Sequence, residues 1–325
     1  MYVLELAGQH DEFAAYEARA GAADVSLLAP GLASARSLRD NVRELAFTHR
    51  VSERVGSCDP TVEDARTLLD AASIDREGTV AVRAVDVRGT TGVSTQTAER
   101  ALGDVLVARG FEVDLDDPDH ELRALFSSGE EGSVCVLGWL VAESTRDFET
   151  RKPGDRPFFQ PGSMNPRLAR ALVNIAGAGD GKTVLDPMCG TGGILIEAGL
   201  VGSRVVGLDA QHKMAAGARE NLRAYLDGQW EVGVGDAASL PLVDNAVDAV
   251  VFDAPYGRQS PIRGELGQLV LEALSEAHRG APRCVVVGDR PWSGPAHEAG
   301  WRTEAAFDRR VHRSLVRYIV VLRRA

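Results

Sequence analysis

Two stretches of the chain set reactive groups at spacings that an ordinary turn does not require. In "LDPMCGTGGILIEAG", beginning at Leu185, Asp186 precedes Gly190, Gly192 and Gly193. Glycines there let the backbone approach a ligand closely at a helix N-terminus. Asp209 follows the loop by about 20 residues, the spacing of an acid that takes ribose hydroxyls. "GDA" at 235–237 adds Asp236 and Ala237. In "VVFDAPYGRQS", beginning at Val250, an apolar run ends on Asp253 and Tyr256 follows three residues later. The Asp253 carboxylate and the Ala254 backbone carbonyl are two acceptors for the two N–H bonds of an amine. Tyr256 adds a ring that can stack on a planar base, and Pro255 stiffens the turn between them.

The glycine loop has competing readings. A nicotinamide or flavin site needs G-x-G-x-x-G, and the position of its third glycine is occupied by Leu195. A P-loop needs G-K-[ST], which does not close this one. Any single strand-end Asp is as readily a helix cap. Four of them, Asp186, Asp209, Asp236 and Asp253, are harder to dismiss. The missing third glycine weakens a dinucleotide site, and Asp186 immediately upstream of the loop favours S-adenosylmethionine (SAM). Loop, Asp209 and "GDA" together make the case, with the loop residues Met188 and Cys189 as further candidates for the cofactor site. A nicotinamide oxidoreductase is separable by asking which cofactor raises the melting temperature.

These residues need a scaffold that gathers strand ends. The segments "KTVLD", "RVVGLD", "EVGVGD", "AVDAVVFD" and "RCVVVGD" alternate with helices, one beginning near Gln211 and one from Glu265 to His278. The last stretch, "WRTEAAFDRRVHRSLVRYIVVLRR", reads as two strands joined by a basic turn. Such alternation predicts an α/β fold with a doubly wound parallel sheet, whose ligands lie at the C-terminal strand ends. The N-terminal half is α+β in pattern. Residues 1–55 open with the strand "YVLELA", a helix from Asp11 to Gly21 begun by an Asp cap and the strand "VSLLAP", then mix strand and helix signals. Residues 60–142 alternate helix, strand, helix and strand. The helix Thr95 to Arg109 carries Ala98, Leu102, Val105 and Leu106 at three-to-four spacing and stops at Gly110. Ser144 to Pro157 is dense in Pro, Gly and charge and reads as an inter-domain linker.

From about Thr79 onward the chain resembles the archaeal tRNA (guanine-10-N2)-methyltransferases. The resemblance rests on "AERALGDVL", "VDLDDPDHEL", "RDFETRKPGDRPFFQPGSMNPRLARALVNIA", "DPMCGTGGILIEAGL", "NLRAY" and "DAPYGRQS". It implies an N-terminal ferredoxin-like domain (1–55), a THUMP RNA-binding domain (56–143), a linker (144–157) and a Rossmann-fold SAM-dependent methyltransferase domain (158–325). It also implies that Pro161 and Met164 cover the methionine end of SAM, and that Asp253, Ala254, Pro255 and Tyr256 form the catalytic turn. The implied reaction adds one or two methyls to the 2-amino group of a guanine in tRNA, by in-line transfer with little acid–base chemistry. Ala254 departs from the family, which usually has a second Pro there. If that residue contributes only its carbonyl, Ala254→Pro is expected to be harmless and even to tighten the turn, provided the Ala254 amide is unbonded. Some relatives use a small zinc-bearing activator subunit, which the resemblance leaves open here. Rival readings are another tRNA position or rRNA, then amino methylation of DNA, which an RNA-binding leading domain disfavours. A non-catalytic tRNA-binding module is the rival from another class, against which the intact Asp253 and Tyr256 argue. Arg83, Arg88, Arg100, Arg258 and the Arg309–Arg317 strand pair are candidate RNA contacts.

Composition bounds these readings. No 18-residue apolar run predicts a membrane span, and the N-terminus lacks the basic-then-apolar order of a secretory signal. Cys58, Cys135, Cys189 and Cys284 are scattered without a C-x-x-C pair, and the seven His show no metal spacing. The expectation is a reduced, cytoplasmic protein with no metal. The net charge is −11, and only three of the 36 basic residues are Lys. Residues 1–150 hold 14 Arg against 28 acidic residues, whereas residues 151–325 hold 22 basic against 19 acidic. An acidic chain repels nucleic acid, so RNA contact must rest on local Arg clusters. Abundant carboxylates with few Lys suit a cytoplasm of high salt, although a GC-rich genome also exchanges Lys for Arg. The halophilic reading predicts a melting temperature that climbs with KCl into the molar range; a salt-independent melting curve rejects it.

Overall fold

The computed structural model describes residues 1–130, 132–256, 263–312 and 315–324, with 263–265, 311, 312 and 315 described by backbone alone. The chain divides into two units, Met1–Thr145 and Arg146–Ala325. The first contains β1 (Tyr2–Leu6), α1 (Asp11–Ala18), β2 (Ala22–Ala23), β3 (Ser26–Ala29), β4 (Leu32–Ala35), β5 (Ser37–Leu38), β6 (Thr48–Cys58), α2 (Val62–Ala71), β7 (Thr79–Asp86), α3 (Thr95–Ala108), β8 (Glu112–Val113), β9 (His120–Gly129) and β10 (Gly132–Glu143). Eight of its strands form one sheet in the order β3-β4-β1-β6-β10-β9-β7-β8.

The α3 pattern read from the sequence holds: Ala98, Leu102, Val105 and Leu106 are buried, and Ser94 Oγ caps the helix by accepting from Thr97 N–H at 3.3 Å. With α2 they cover Val82, Leu122, Phe126 and Leu137 of the sheet. Asp11 is not the expected cap. It is the first residue of α1, and its carboxylate accepts from Gly31 N–H at 2.9 Å and pairs with Arg88.

The expected domain boundary at residue 55 falls inside β6, which pairs with β1 on one side and β10 on the other. Residues 1–55 and 56–143 therefore share one sheet and one compact unit. The sequence obscures this because "THRVSERVGSC" has no clean alternation, and its place is set by backbone pairing on both edges.

The second unit adds α4 (Pro166–Ala176), β11 (Thr183–Asp186), α5 (Gly193–Leu200), β12 (Arg204–Asp209), α6 (His212–Tyr225), β13 (Trp230–Val234), β14 (Ala249–Asp253), α7 (Arg263–Gly280), β15 (Arg283–Gly288), α8 (Ser293–Glu298), β16 (Trp301–His312) and β17 (Leu315–Arg324). Its sheet runs β13-β12-β11-β14-β15-β17-β16. The first five pair in parallel, and β17 lies antiparallel between β15 and β16. The apolar runs of β14 and β15 are buried, as strands covered on both faces require. Strand order reverses between β11 and β14, and in open α/β sheets ligands bind beyond the C-terminal strand ends at such a point.

The division between the units, at 145/146, falls inside Ser144 to Pro157, the segment read as an inter-domain linker, but most of that segment packs into the second unit. Phe148, Arg151 and Arg156 are buried. Arg151 donates from Nε and Nη2 to the fully buried Glu197 of α5, at 2.7 and 3.1 Å, and Arg170 of α4 pairs with the same carboxylate at 3.1 Å. Pro and Gly density marked the turns correctly but concealed the charges that dock them. Removing one partner from a buried ion pair costs ~3–5 kcal/mol. A fragment beginning at Arg146 should therefore melt cooperatively, while one beginning at Phe158 should be markedly less stable by calorimetry. Equal melting temperatures would contradict the structural role of 146–157.

Candidate active site

Asp186, Asp209 and Asp253 are the last residues of β11, β12 and β14, while Asp236 lies two residues beyond β13. Three of the four expected acids thus end strands on one edge, and β11 and β14 flank the point where strand order reverses. Asp186 is 1% exposed, and its Oδ1 accepts from Met188 N–H at 3.0 Å. Burial, reinforced by the charges of Asp253 and Asp209, pushes its carboxyl well above the usual range. Asp209 is half-buried and holds two backbone amides, Gly190 N–H at 3.0 Å and Gln211 N–H at 2.9 Å. It thereby fastens the glycine loop to β12 and opens α6. Asp236 is exposed and accepts from Ala238 N–H at 2.9 Å, beside the buried Ala237.

The loop needs its glycines for two different reasons. Gly190 has φ +54°, and a Cβ there would face mostly open space, with Met214 nearest at 3.8 Å. Gly192 has φ +78°, and its Cβ would lie 2.5 Å from Leu222 of α6. Gly190 therefore leaves room on the ligand side, and Gly192 permits close packing behind. Gly193 begins α5. The Cys189 thiol is buried, which pushes its pKa well up and makes it a poor nucleophile.

The segment holding Pro161 and Met164 is brought to this loop. Ser163 Oγ lies 3.1 Å from Thr191 Oγ1; Met164 is buried and Pro161 exposed. Asn221 of α6 completes the join. Its Nδ2 donates to Thr191 O and Phe158 O, both at 2.9 Å, and its Oδ1 accepts from Phe158 N–H at 2.8 Å. Sequence reading noted "NLRAY" without giving Asn221 a task, and a lone Asn on a helix carries no local signal for one.

The Asp-Ala-Pro-Tyr turn is a network. Tyr256 O–H donates to Asp253 Oδ1 at 2.8 Å, and Arg317 Nε donates to the Tyr256 oxygen at 3.0 Å. Arg317 Nη2 also lies 3.4 Å from Asp253 Oδ2 and 3.4 Å from Gly162 O. Burial raises the Asp253 carboxyl, against which Arg317 and then the Tyr256 hydrogen bond pull it down. Burial and the Asp253 charge raise the Tyr256 phenol. Arg317 was expected to touch RNA; at 5% exposure it instead serves this network. Of the other candidates, Arg83 donates to Leu115 O at 2.5 Å and Arg88 pairs with Asp11, while Arg100 is exposed. Arg258 lies outside the described residues.

The donor set fits SAM. A buried carboxylate beside two others calls for positive charge, and SAM carries an ammonium and a sulfonium; its ribose hydroxyls suit the remaining lone pairs of Asp209. Among the described residues, no group of three or more His, Cys, Asp or Glu side chains could hold a metal ion. Residues 153–317 match the family model described as UPF0020, RMKL-like, methyltransferase domain. The tRNA (guanine(10)-N2)-dimethyltransferase of Methanothermobacter thermautotrophicus is 37% identical, over 87% of this chain and 84% of its own length. The enzyme of the same name from Pyrococcus abyssi is 31% identical, over 86% of this chain and 84% of its own. This chain belongs to that family. It is a SAM-dependent methyltransferase. In fold it is similar to TrmN from Thermus thermophilus, with TM-score 0.51 at 22% identity over 100% of this chain and 99% of that one.

The condition attached to Ala254→Pro, a free amide at 254, is not met. Ala254 is fully buried, and its N–H donates to Val287 O of β15 at 2.8 Å. A proline at 254 forfeits this bond, worth ~0.5–1.5 kcal/mol, against ~0.4–1 kcal/mol gained by restricting the unfolded chain. Ala254→Pro should leave the melting temperature unchanged or slightly lowered. A clear rise would mean that the bond contributes nothing.

Proposed function

We propose that this methyltransferase modifies the exocyclic 2-amino group of the guanine at position 10 of tRNA, producing N2-methyl- and N2,N2-dimethylguanosine. The reading rests chiefly on Asp253, a carboxylate at the switch-point edge with a backbone carbonyl immediately after it. Both are acceptors, and an amine engaged by both has its lone pair drawn out of conjugation with the ring and directed at the methyl donor. When bound, SAM supplies an electrophilic methyl on a sulfonium. Asp253 and the Ala254 carbonyl orient the amine, and Asp253 accepts the proton that the methylated nitrogen releases. Catalysis on this reading comes mostly from positioning in a site closed to water.

Tyr256 has two tasks. Its hydroxyl rests on Asp253 Oδ1, so an incoming amine must displace it to reach that oxygen. Once displaced, the ring is available to stack on the base, worth ~1–3 kcal/mol, which offsets part of the few kcal/mol needed to extrude it. Gly190, Gly192, Gly193, Met188 and Cys189 shape the cofactor pocket, Asp186 faces the cofactor's positive charge, and Asp209 takes the ribose. Asp236 and Ala237 flank the adenine, while Pro161 and Met164 close over the methionine end.

The first unit selects the folded tRNA on this reading, as a ferredoxin-like and THUMP region joined through one sheet. The setting is the cytoplasm. An assay with the isolated protein also answers whether a small zinc-bearing activator subunit is required.

The decisive experiment combines full-length protein, labelled SAM and unmodified tRNA carrying guanine or adenine at position 10, followed by nucleoside mass spectrometry. N2-methylated guanosine should form only with guanine present there. In single-turnover assays Asp253→Ala should slow transfer by ~10²–10⁴-fold while SAM affinity stays near wild type. Label on another nucleotide, or near-normal transfer by Asp253→Ala, would reject the proposal.

A further inference from the structure

Arg317 joins its own strand to two other pieces of chain, the turn after β14 and the segment at Gly162. Its guanidinium reaches the Tyr256 hydroxyl at 3.0 Å, Asp253 Oδ2 at 3.4 Å and the Gly162 carbonyl at 3.4 Å. It arrives there because β17 runs antiparallel to β15. Gly288, the last residue of β15, pairs with Tyr318, so Arg317 sits just beyond the edge at which the parallel strands end. A parallel strand in that place would have carried its early residues to the opposite edge. At 5% exposure the side chain is sealed from bulk solvent and cannot be a phosphate contact of the usual kind.

The local charges make this placement consequential. Asp253 is faced by Arg317 from β17 and by the neutral phenol of Tyr256 from its own turn, with the Asp186 carboxylate at the end of the neighbouring β11. Arg317 is the cation of this group. Its Nη2 engages Oδ2 of Asp253, whereas Oδ1 is occupied by a hydroxyl that can swing away. One carboxylate oxygen is thus pinned by charge and the other is held ready by a replaceable donor.

We propose that Arg317 is a positioning residue for methyl transfer: it keeps the Asp253 carboxylate charged and aimed, so that Oδ1 can accept the substrate amine once Tyr256 releases it. The same guanidinium ties the turn carrying the acceptor to Gly162 in the segment beside the glycine loop, linking amine capture to the cofactor side. This rests on the proposed amine-clamp role of Asp253. Only the charged carboxylate can accept both the amine N–H and, after transfer, its proton. An opposite charge at this distance typically lowers a carboxyl pKa by ~1–3 units. Removing Arg317 therefore raises the Asp253 pKa, and activity that requires the carboxylate fails at a higher pH as the solution is acidified.

The test is the pH dependence of single-turnover transfer, at saturating SAM, by full-length wild type, Arg317→Met, Arg317→Lys and Tyr256→Phe. Arg317→Met should move the acid limb upward by about one unit or more. Arg317→Lys, which keeps the charge but loses the fork, should leave the limb near wild type with a lower plateau. Tyr256→Phe, which removes a neutral partner, should shift the limb less than Arg317→Met. A uniform loss in both Arg317 variants with no movement of the limb would overturn the proposal and leave Arg317 as packing alone. A second readout does not depend on the substrate: the carboxyl carbon of Asp253 in ¹³C-aspartate-labelled protein, assigned with Asp253→Asn. It should titrate at higher pH in Arg317→Met than in wild type, even if guanine proves not to be the substrate. Coincident titrations would sink the proposal, whereas failure of the guanine reading would show only in the nucleoside analysis.

Discussion

Carboxylates crowded onto one edge of the second unit's sheet impose the constraint on which the rest of the site depends. Asp186, Asp209 and Asp253 end adjacent parallel strands, and burial alone would drive the innermost of them to take up protons. Each is stabilised differently. Asp209 is held by two backbone amides of the loops it organises. Asp253 has Arg317. Asp186 has one amide and two negative neighbours, so it is the position most in need of a cation from outside. A ligand with a sulfonium and an ammonium would meet that need, and on the proposed reading the edge is a charge pattern completed by binding. The same logic explains why the buried Cys189 is inert: its thiolate would add a fourth negative charge.

The antiparallel strand is what separates this sheet from a purely parallel one, and its value lies in direction. Residues on β17 enter at the ligand edge instead of leaving there, which brings a side chain from the last tenth of the chain against the turn after β14. The buried pair of Arg151 and Glu197 does similar work behind the glycine loop. It fixes α5 directly after the loop residues Gly190 and Thr191, which Asp209 and Asn221 hold. Both devices use Arg, whose planar fork engages several acceptors at once, where Lys would offer a point charge.

Much of this was legible from local pattern and some was not. The strand-end acids, the glycine loop and the helix Thr95–Ala108 are local features, and sequence reading placed them within a residue or two. That they share the C-terminal edge of a doubly wound, largely parallel sheet followed from the alternation of strands and helices. The misreadings concern pairings distant in sequence. β6 joins two segments that looked like separate domains, because a central strand is specified by its two neighbours as much as by its own residues. Residues 146–157 read only as linker, because charge in a sequence does not reveal the buried partner 46 positions away at Glu197. Arg317 looked like a surface contact for the same reason, its acceptor lying 64 positions upstream. Whether Ala254 could become Pro turned on its amide, whose acceptor lies on the neighbouring strand and could not be read from the sequence.

The N-terminal unit raises a different problem, since residues 1–150 carry twice as many acids as Arg. Its recorded Arg contacts deepen it: Arg83, Arg88 and the buried Arg123 are engaged with carboxylates or carbonyls of the same unit. If this half binds tRNA, as proposed, attraction to phosphates is thus a poor source of its affinity. In a cytoplasm of molar salt it would be a poor source for any protein, because the screening length falls to about 3 Å and the gain from counterion release shrinks with log salt. Under those conditions an acidic surface gives up little. Recognition then has to come from contacts that salt does not screen: stacking, backbone hydrogen bonds and shape. On the proposed reading Asp253 and Tyr256 follow that economy, holding the base by acceptors and a ring, while the neighbouring Arg317 is turned inward to the carboxylate.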